Sequence, residues 1–176
     1  NFNEMVSIAD NFMSQEKYAE ATLQYKSALE LYPNNIEVQS KYKEAKAKKE
    51  ELDMQTAIFE QLKREAQEFT LRKKYAEAIE KYQRALEIFP DETELNLLIT
   101  ELTNKKNITE QYNSKIHIAD SLYLEKSYNE AIVAYNEALN IIPDDAYSTD
   151  MIARINETLK SEEYLAMQNY LAIIEE

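Results

Sequence analysis

One pattern occurs three times in this chain: YAEATLQYKSALELYP from Tyr18 to Pro33, YAEAIEKYQRALEIFP from Tyr75 to Pro90, and YNEAIVAYNEALNIIP from Tyr128 to Pro143. A chain that repeats a pattern at near-fixed spacing builds one supersecondary unit several times and stacks the copies, because no single copy can bury its own apolar face. Such arrays present surface to partners and do not enclose a reaction site. The three copies match without a gap. Tyr18, Tyr75 and Tyr128 lead; Ala21, Ala78 and Ala131 follow at offset 3, Tyr25, Tyr82 and Tyr135 at offset 7, and Ala28, Ala85 and Ala138 at offset 10. These offsets keep the alanines and second tyrosines on one helical stripe. Small side chains there admit another helix at close range, and each tyrosine ring brings apolar area with a hydroxyl that needs a partner. The proline that ends each copy cannot continue the hydrogen-bond ladder, so each helix is expected to stop just before it.

A second amphipathic helix precedes each copy. Phe2, Met5, Ala9 and Phe12 match Phe59, Leu62, Ala66 and Phe69, and more loosely Tyr112, Ile116, Ala119 and Leu122. A short turn such as Ser14 to Lys17 makes the two helices an antiparallel pair. With its aromatic, alanine and proline positions all in place, each unit resembles a tetratricopeptide (TPR) repeat. The resemblance covers about 34 residues three times over, and implies an all-α solenoid of antiparallel helix pairs.

The chain departs from that family in two ways. It has no glycine, so the turn inside each pair must be made by residues such as Glu16, Lys73 or Lys126, which visit a left-handed backbone only at a cost. The repeat is also long: Tyr18 to Tyr75 is 57 residues and Tyr75 to Tyr128 is 53. The surplus is enough for an extra helix per repeat. Val38, Tyr42 and Ala45 match Leu95, Ile99 and Leu102, and in part Ile152 and Ile155, at helical spacing. Asn34 and Asn35, Asp91 and Glu92, and Asp144 and Asp145 follow the prolines, as suits the free amides and positive dipole of a helix start. Asn35 to Lys73 has no glycine or proline and could form one helix of about 39 residues, roughly 58 Å long. Thr103 to Asn107 and Lys160-Ser161 read instead as breaks, and three helices per unit with tight junctions is the expected arrangement.

The units then run 1–58, 59–111 and 112–160. Leu165 and Ala172 fall where a fourth repeat's first helix would place them, so 161–176 is expected as a capping helix or the first helix of a truncated fourth repeat. Lengthened TPR-like repeats rich in Tyr, Ala, Lys and Glu occur in bacterial multi-repeat proteins, some of them attached to the cell envelope. That likeness, weaker than the TPR match, tips the expected location towards the periplasmic side of an envelope over the cytoplasm.

Composition removes whole function classes. No apolar run approaches the roughly 18 residues of a membrane span, and the absence of cysteine excludes disulfides, thiolate zinc sites and cysteine catalysis. Without glycine there is no phosphate-cradling loop and no nucleophile elbow. His117 is the one histidine and has no second His or Cys to complete a metal set. Asp144, Asp145 and Asp150 lack the glycine and terminal glutamate of a calcium loop, and read as helix caps. The sequons at Asn107 and Asn156 fall near helices and are discounted. No cofactor, metal or catalytic residue is expected.

The net charge is −13, shared unevenly: residues 1–88 hold 14 basic and 16 acidic side chains, residues 89–176 hold 6 and 17. This argues against nucleic acid, whose affinity comes largely from neutralised phosphates. The lysine run Lys41, Lys43, Lys46, Lys48 and Lys49 is interleaved with glutamates and reads as a solvated face. The acidic half would steer a protein or peptide partner with a basic segment.

In TPR arrays the first helices of the pairs line a concave groove that holds a peptide. By that resemblance the partner face comprises Asn3, Val6, Asp10 and Met13; Glu60, Lys63, Gln67 and Thr70; and Asn113, Ile116, Asp120 and Tyr123. The chain is expected to be a non-catalytic docking scaffold. The alternative is a structural spacer or self-assembling segment of a larger protein, which an apolar patch between Tyr164 and Ile174 would favour.

Overall fold

The computed structural model describes the backbone of residues 1–175 and the side chains of all but 168 and 171–176. Among the described residues it is all-helical: α1 (Phe2–Ser14), α2 (Tyr18–Leu31), α3 (Ile36–Leu71), α4 (Tyr75–Ile88), α5 (Thr93–Leu124), α6 (Tyr128–Ile141) and α7 (Ala146–Glu175), with no strand. The chain forms two compact units, 1–99 and 100–176. The first holds α1 to α4 and the opening of α5; the second holds the rest of α5 with α6 and α7.

The punctuation marks in the sequence set the helix ends. α2, α4 and α6 stop two residues before Pro33, Pro90 and Pro143. Asn1 caps α1 with a capping box shared with Glu4, and the Asn35 carboxamide accepts the Val38 N–H at 3.0 Å to start α3. Asp145 does the same for α7, accepting the Ser148 N–H at 2.8 Å.

The three turns inside the pairs are the same structure built without glycine. Glu16, Lys73 and Lys126 have φ of 57°, 57° and 60°, in the left-handed region. At each, the N–H of the left-handed residue and that of its successor bond back into the preceding helix: Glu16 to Met13 and Lys17 to Phe12, Lys73 to Thr70 and Lys74 to Phe69, Lys126 to Tyr123 and Ser127 to Leu122. This is the Schellman ending, which satisfies carbonyls the helix leaves free. A left-handed L-residue costs about 1–2 kcal/mol, and glycine's extra freedom when unfolded offsets part of that. Lys73→Gly is therefore expected to stabilise the first unit by up to about 1 kcal/mol in urea unfolding, while Lys73→Val destabilises it; a Gly variant weaker than the parent would contradict the strain argument.

Packing follows the alanine stripe. In the first unit, α2 lies between α1 and the first half of α3, and Ala9, Ala21, Ala28 and Ala45 are fully buried with Tyr25 and Val38. Further along, α4 packs on the second half of α3, burying Phe59, Leu62 and Ala66 with Ala78, Tyr82 and Ala85. The edge-to-face pairs Phe2–Tyr32 and Phe59–Phe89, with centroids 4.8 and 5.1 Å apart, close the two helix pairs in the same way. In the second unit Ala119, Ala131, Ala134, Tyr135, Met151 and Ile155 form the core.

The expected tight junctions are not there. α3 runs unbroken through 58–59, α5 through 103–107 and 111–112, and α7 through 160–161. In α3 the extra helix of the first copy and the helix that leads into the second are one continuous rod of 36 residues, about 54 Å. Residues 50–58 of α3 are all exposed, so packing does not hold this stretch helical. Side-chain pairs along it do: Lys46–Glu50 at 3.7 Å, Lys48–Glu51 at 3.6 Å and Lys49–Asp53. α5 repeats the device with Lys105–Glu101 at 2.5 Å and Lys106–Glu110 at 3.1 Å. Each pair contributes about 0.3–0.5 kcal/mol, and with no helix breaker between them nothing interrupts the ladder.

Candidate functional site

The first-repeat part of the expected partner face takes shape as a groove. Asn3, Val6 and Asp10 of α1 form one wall and Glu37 and Lys41 of α3 the other, with about 330 Å³ between them. Val38 at its floor is buried. Asn3 and Asp10 are exposed, and Met13 is half-buried against the core beneath. The second wall was not legible from the repeat pattern. Val38 reads as packing and Lys41 as one of a solvated lysine run; the only sequence signal is the four-residue step from Glu37 to Lys41, which keeps both on one side of the helix.

Asp10 is the hinge pin of this groove. Its carboxylate accepts the Tyr25 hydroxyl at 2.5 Å and the Lys41 ammonium at 3.0 Å, tying all three helices of the first repeat together. Burial alone would raise its pKa, but the hydrogen bonds from Tyr25 and Lys41 outweigh that and hold the carboxyl below the usual range. Lys41 also pairs with Glu37 at 3.3 Å.

The second unit repeats the arrangement with different chemistry. Asp120 accepts the Tyr135 hydroxyl at 2.7 Å and the Tyr147 hydroxyl at 2.9 Å, so tyrosine replaces lysine as the second donor. Both tyrosine–aspartate pairs are 15 residues apart in sequence. Ile116 and Tyr123 are half-buried against the core, and the Tyr123 ring meets Tyr128 at 6.0 Å. Lys115 pairs with Glu137 across α5 and α6 at 2.6 Å.

The remaining expected contacts lie on the second half of α3. Gln67 is exposed. Lys63 sits over the Phe59 ring at 4.8 Å and pairs with Glu60 at 3.2 Å. The Thr70 hydroxyl donates to the Ala66 carbonyl at 2.9 Å. Eight of these twelve residues thus divide by what they touch. Asp10 and Asp120 brace helices, Met13, Ile116 and Tyr123 support the cores, Thr70 bonds to its own helix, and Lys63 and Gln67 reach solvent. His117 is exposed. A second small cleft, about 240 Å³, opens where Tyr18 at the start of α2 and Phe89 beyond α4 meet over Leu52 and Gln55 in the middle of α3.

Burial raises the pKa of the Tyr25 and Tyr135 hydroxyls, and the bonds to Asp10 and Asp120 raise them further. Burial and a bond to Asp145 push Tyr112 up to about 12. A folded pKa above the unfolded value near 10 means stability present below pH 10 and lost as the pH rises through the folded value. Ultraviolet titration of the 13 tyrosines is therefore expected to show a late group, containing these three, that ionises together with loss of helicity. A single transition near pH 10 with the helix intact would contradict the buried bonds.

No protein-family profile matches the sequence, and no curated protein is similar enough to stand as a relative. Among the described residues, no helix is long and apolar enough to cross a membrane, and no group of three or more His, Cys, Asp or Glu side chains is placed to hold a metal ion.

Proposed function

We propose that the chain is a non-catalytic, TPR-like scaffold whose repeats form a solenoid and dock a protein or peptide along the first helix of each pair. The observation that carries this reading is the groove between α1 and α3. It is open to solvent, has an apolar floor at Val38 and polar walls at Asn3, Asp10 and Lys41, and three of its lining residues are those the repeat register assigns to the partner face. A mixed groove of this kind suits a short segment that buries a few apolar side chains and hydrogen-bonds the walls. The acidic balance of the chain favours a segment carrying Lys or Arg.

The test uses exposed positions, because Asp10 and Asp120 also hold the fold. Partners captured with the intact protein are purified, and their affinities measured against Asn3→Arg and Gln67→Arg. Loss of about tenfold or more in either variant is expected, with association slowing as salt passes about 0.1 M, where the Debye length is near 10 Å. Undiminished affinity in both variants would remove the groove from the reading.

A structural spacer is the second reading, supported by the continuous α3 and its exposed, ion-paired middle. That middle holds the ion pairs of Lys46, Lys48 and Lys49 beside exposed Leu52, Met54 and Ile58, and crosses solvent between the packed halves of the helix. A spacer would need no partner in the groove, so a chain that captures nothing through Asn3 or Gln67 but keeps its rod would favour it.

A further inference from the structure

The 240 Å³ cleft beside Tyr18 does not stand alone. Phe89 lines it and also lines a hollow of about 450 Å³ formed by the turn from α4 into α5, residues 89–94. The two therefore meet at one half-buried ring. On the first side the surface is apolar, with Tyr18 and Leu52, the latter 37 % exposed. On the other it is acidic: Asp91, Glu92 and Glu94 are exposed, and Glu16 and Glu51 rim the first cleft. Lys48 is the one cation among these lining residues and pairs with Glu51 at 3.6 Å, while Lys17, beside Glu16, donates to Gln15 at 2.9 Å. Among the described residues no ion pair reaches Glu16, Asp91, Glu92 or Glu94. The first copy shows what such a turn needs for folding alone. Asn34 and Asn35 stand where the second copy has Asp91 and Glu92, and Asn35 caps its helix without a charge, so the turn itself does not require the carboxylates.

We propose that this surface of the first unit docks a short basic segment of another protein, one apolar side chain seated between Tyr18, Leu52 and Phe89 and neighbouring Lys or Arg side chains set against Asp91, Glu92 and Glu94. Charge selects the occupant. A nucleic acid or an anionic bilayer carries the same sign as the rim, and a second copy brings a net charge of −13, its lysine run interleaved with acids. A basic segment gains at both places, burying its anchor against the rings while its cations meet carboxylates that have no partner of their own. An apolar anchor in a pocket with a polar rim is the anatomy of a protein contact. Both hollows lie within the first unit, and none of their lining residues belongs to the α1–α3 groove. The site therefore does not depend on docking there.

The probe is a fluorescent peptide of about ten residues, roughly 33 Å when extended, with Lys and Ser around one central Leu. Two control peptides carry Glu for every Lys, or Ser for the Leu. Anisotropy against the full chain is expected to show saturable binding of the first peptide, about tenfold or more tighter than either control. The double variant Asp91→Asn, Glu92→Asn, which copies the first repeat's own turn, lowers that affinity about tenfold at about 50 mM salt, and the difference shrinks by about 300 mM. Leu52→Gln, at an exposed position in the unpacked stretch of α3, removes the preference for leucine over serine. Circular dichroism should be unchanged in both variants. The proposal is overturned if the asparagine variant binds the first peptide as tightly as the parent, if the glutamate peptide binds alike, or if Leu52→Gln keeps the preference for leucine. It is overturned equally if the parent sediments as a dimer that the asparagine variant dissociates, which would assign the surface to a second copy.

Discussion

Replacing Ala85 with Leu is expected to lower the stability of the first unit by about 1–3 kcal/mol, read as a shift in the urea midpoint. Ala85 is fully buried in α4, on the stripe that faces α3, and its carbonyl accepts the Phe89 N–H that caps the helix. Three extra carbons there must push α4 away from Phe59, Leu62 and Ala66 or force a strained rotamer, because a packed interior leaves no room for either. Gln83, two residues away and exposed, is the control: Gln83→Leu should stay within about 0.5 kcal/mol of the parent. If Ala85→Leu matches the parent, Ala85 does not face a partner helix and the repeat register of the second copy fails.

A larger loss is expected from Tyr135→Ala in the second unit, about 3–5 kcal/mol, the usual cost of removing a buried aromatic ring. Tyr135 has no exposed surface, packs edge-to-face with Tyr147 at 6.1 Å and donates to Asp120. Tyr135→Phe separates the two contributions. It keeps the ring and loses only the hydroxyl, while Tyr147 still donates to Asp120, so about 1 kcal/mol should go. Equal losses in the two variants would mean that the hydrogen bond, not the ring, holds the core.

Ser148 adds a third, smaller probe of the same core. It occupies the position held by Val38 and Leu95 in the other copies and is fully buried. Its hydroxyl lies close enough to help lower the Asp145 carboxyl, yet lacks the geometry of a hydrogen bond. Ser148→Val is expected to raise the unfolding free energy by about 1 kcal/mol, since it removes a buried polar atom and supplies the side chain that works at this place in the first copy. A loss of stability would show that the hydroxyl is engaged after all.

The helix pairs were legible from the sequence because their signals are local and repeated. Alanines at helical spacing reported the close-packed face, prolines the ends, and the absence of glycine handed the turns to residues such as Glu16, Lys73 or Lys126, where the positive φ values are found. The continuity of α3, α5 and α7 was harder to read. Thr103 to Asn107 and Lys160-Ser161 have the polar composition of a junction, and composition alone does not distinguish a loop from a solvated helix. What decides is the pairing of Lys46, Lys48 and Lys49 with acids three or four residues on, which favours helix over coil wherever no breaker intervenes. The candidate groove was half legible. Repeat register finds the α1 wall, but the α3 wall depends on where a long helix turns back over the first, and that is a tertiary outcome with no counterpart in ordinary repeat spacing. The role of Asp10 and Asp120 as braces was hidden for the same reason: the 15-residue offset to Tyr25 and Tyr135 is in the sequence, but it gains meaning only once α1 and α2, or α5 and α6, lie side by side.

The continuity of α3 is the claim on which the spacing of the repeats rests, and one distance tests it. The chain has no cysteine, so Lys43→Cys and Gln61→Cys, both at exposed positions, give a clean pair for spin labelling. Eighteen residues are five turns, placing both labels on one side of a rod about 27 Å apart. A narrow distribution centred near that backbone separation, allowing for the label arms, is the expected result of dipolar spectroscopy. A broad distribution, or one centred well below about 20 Å, would mean that the helix breaks between its halves.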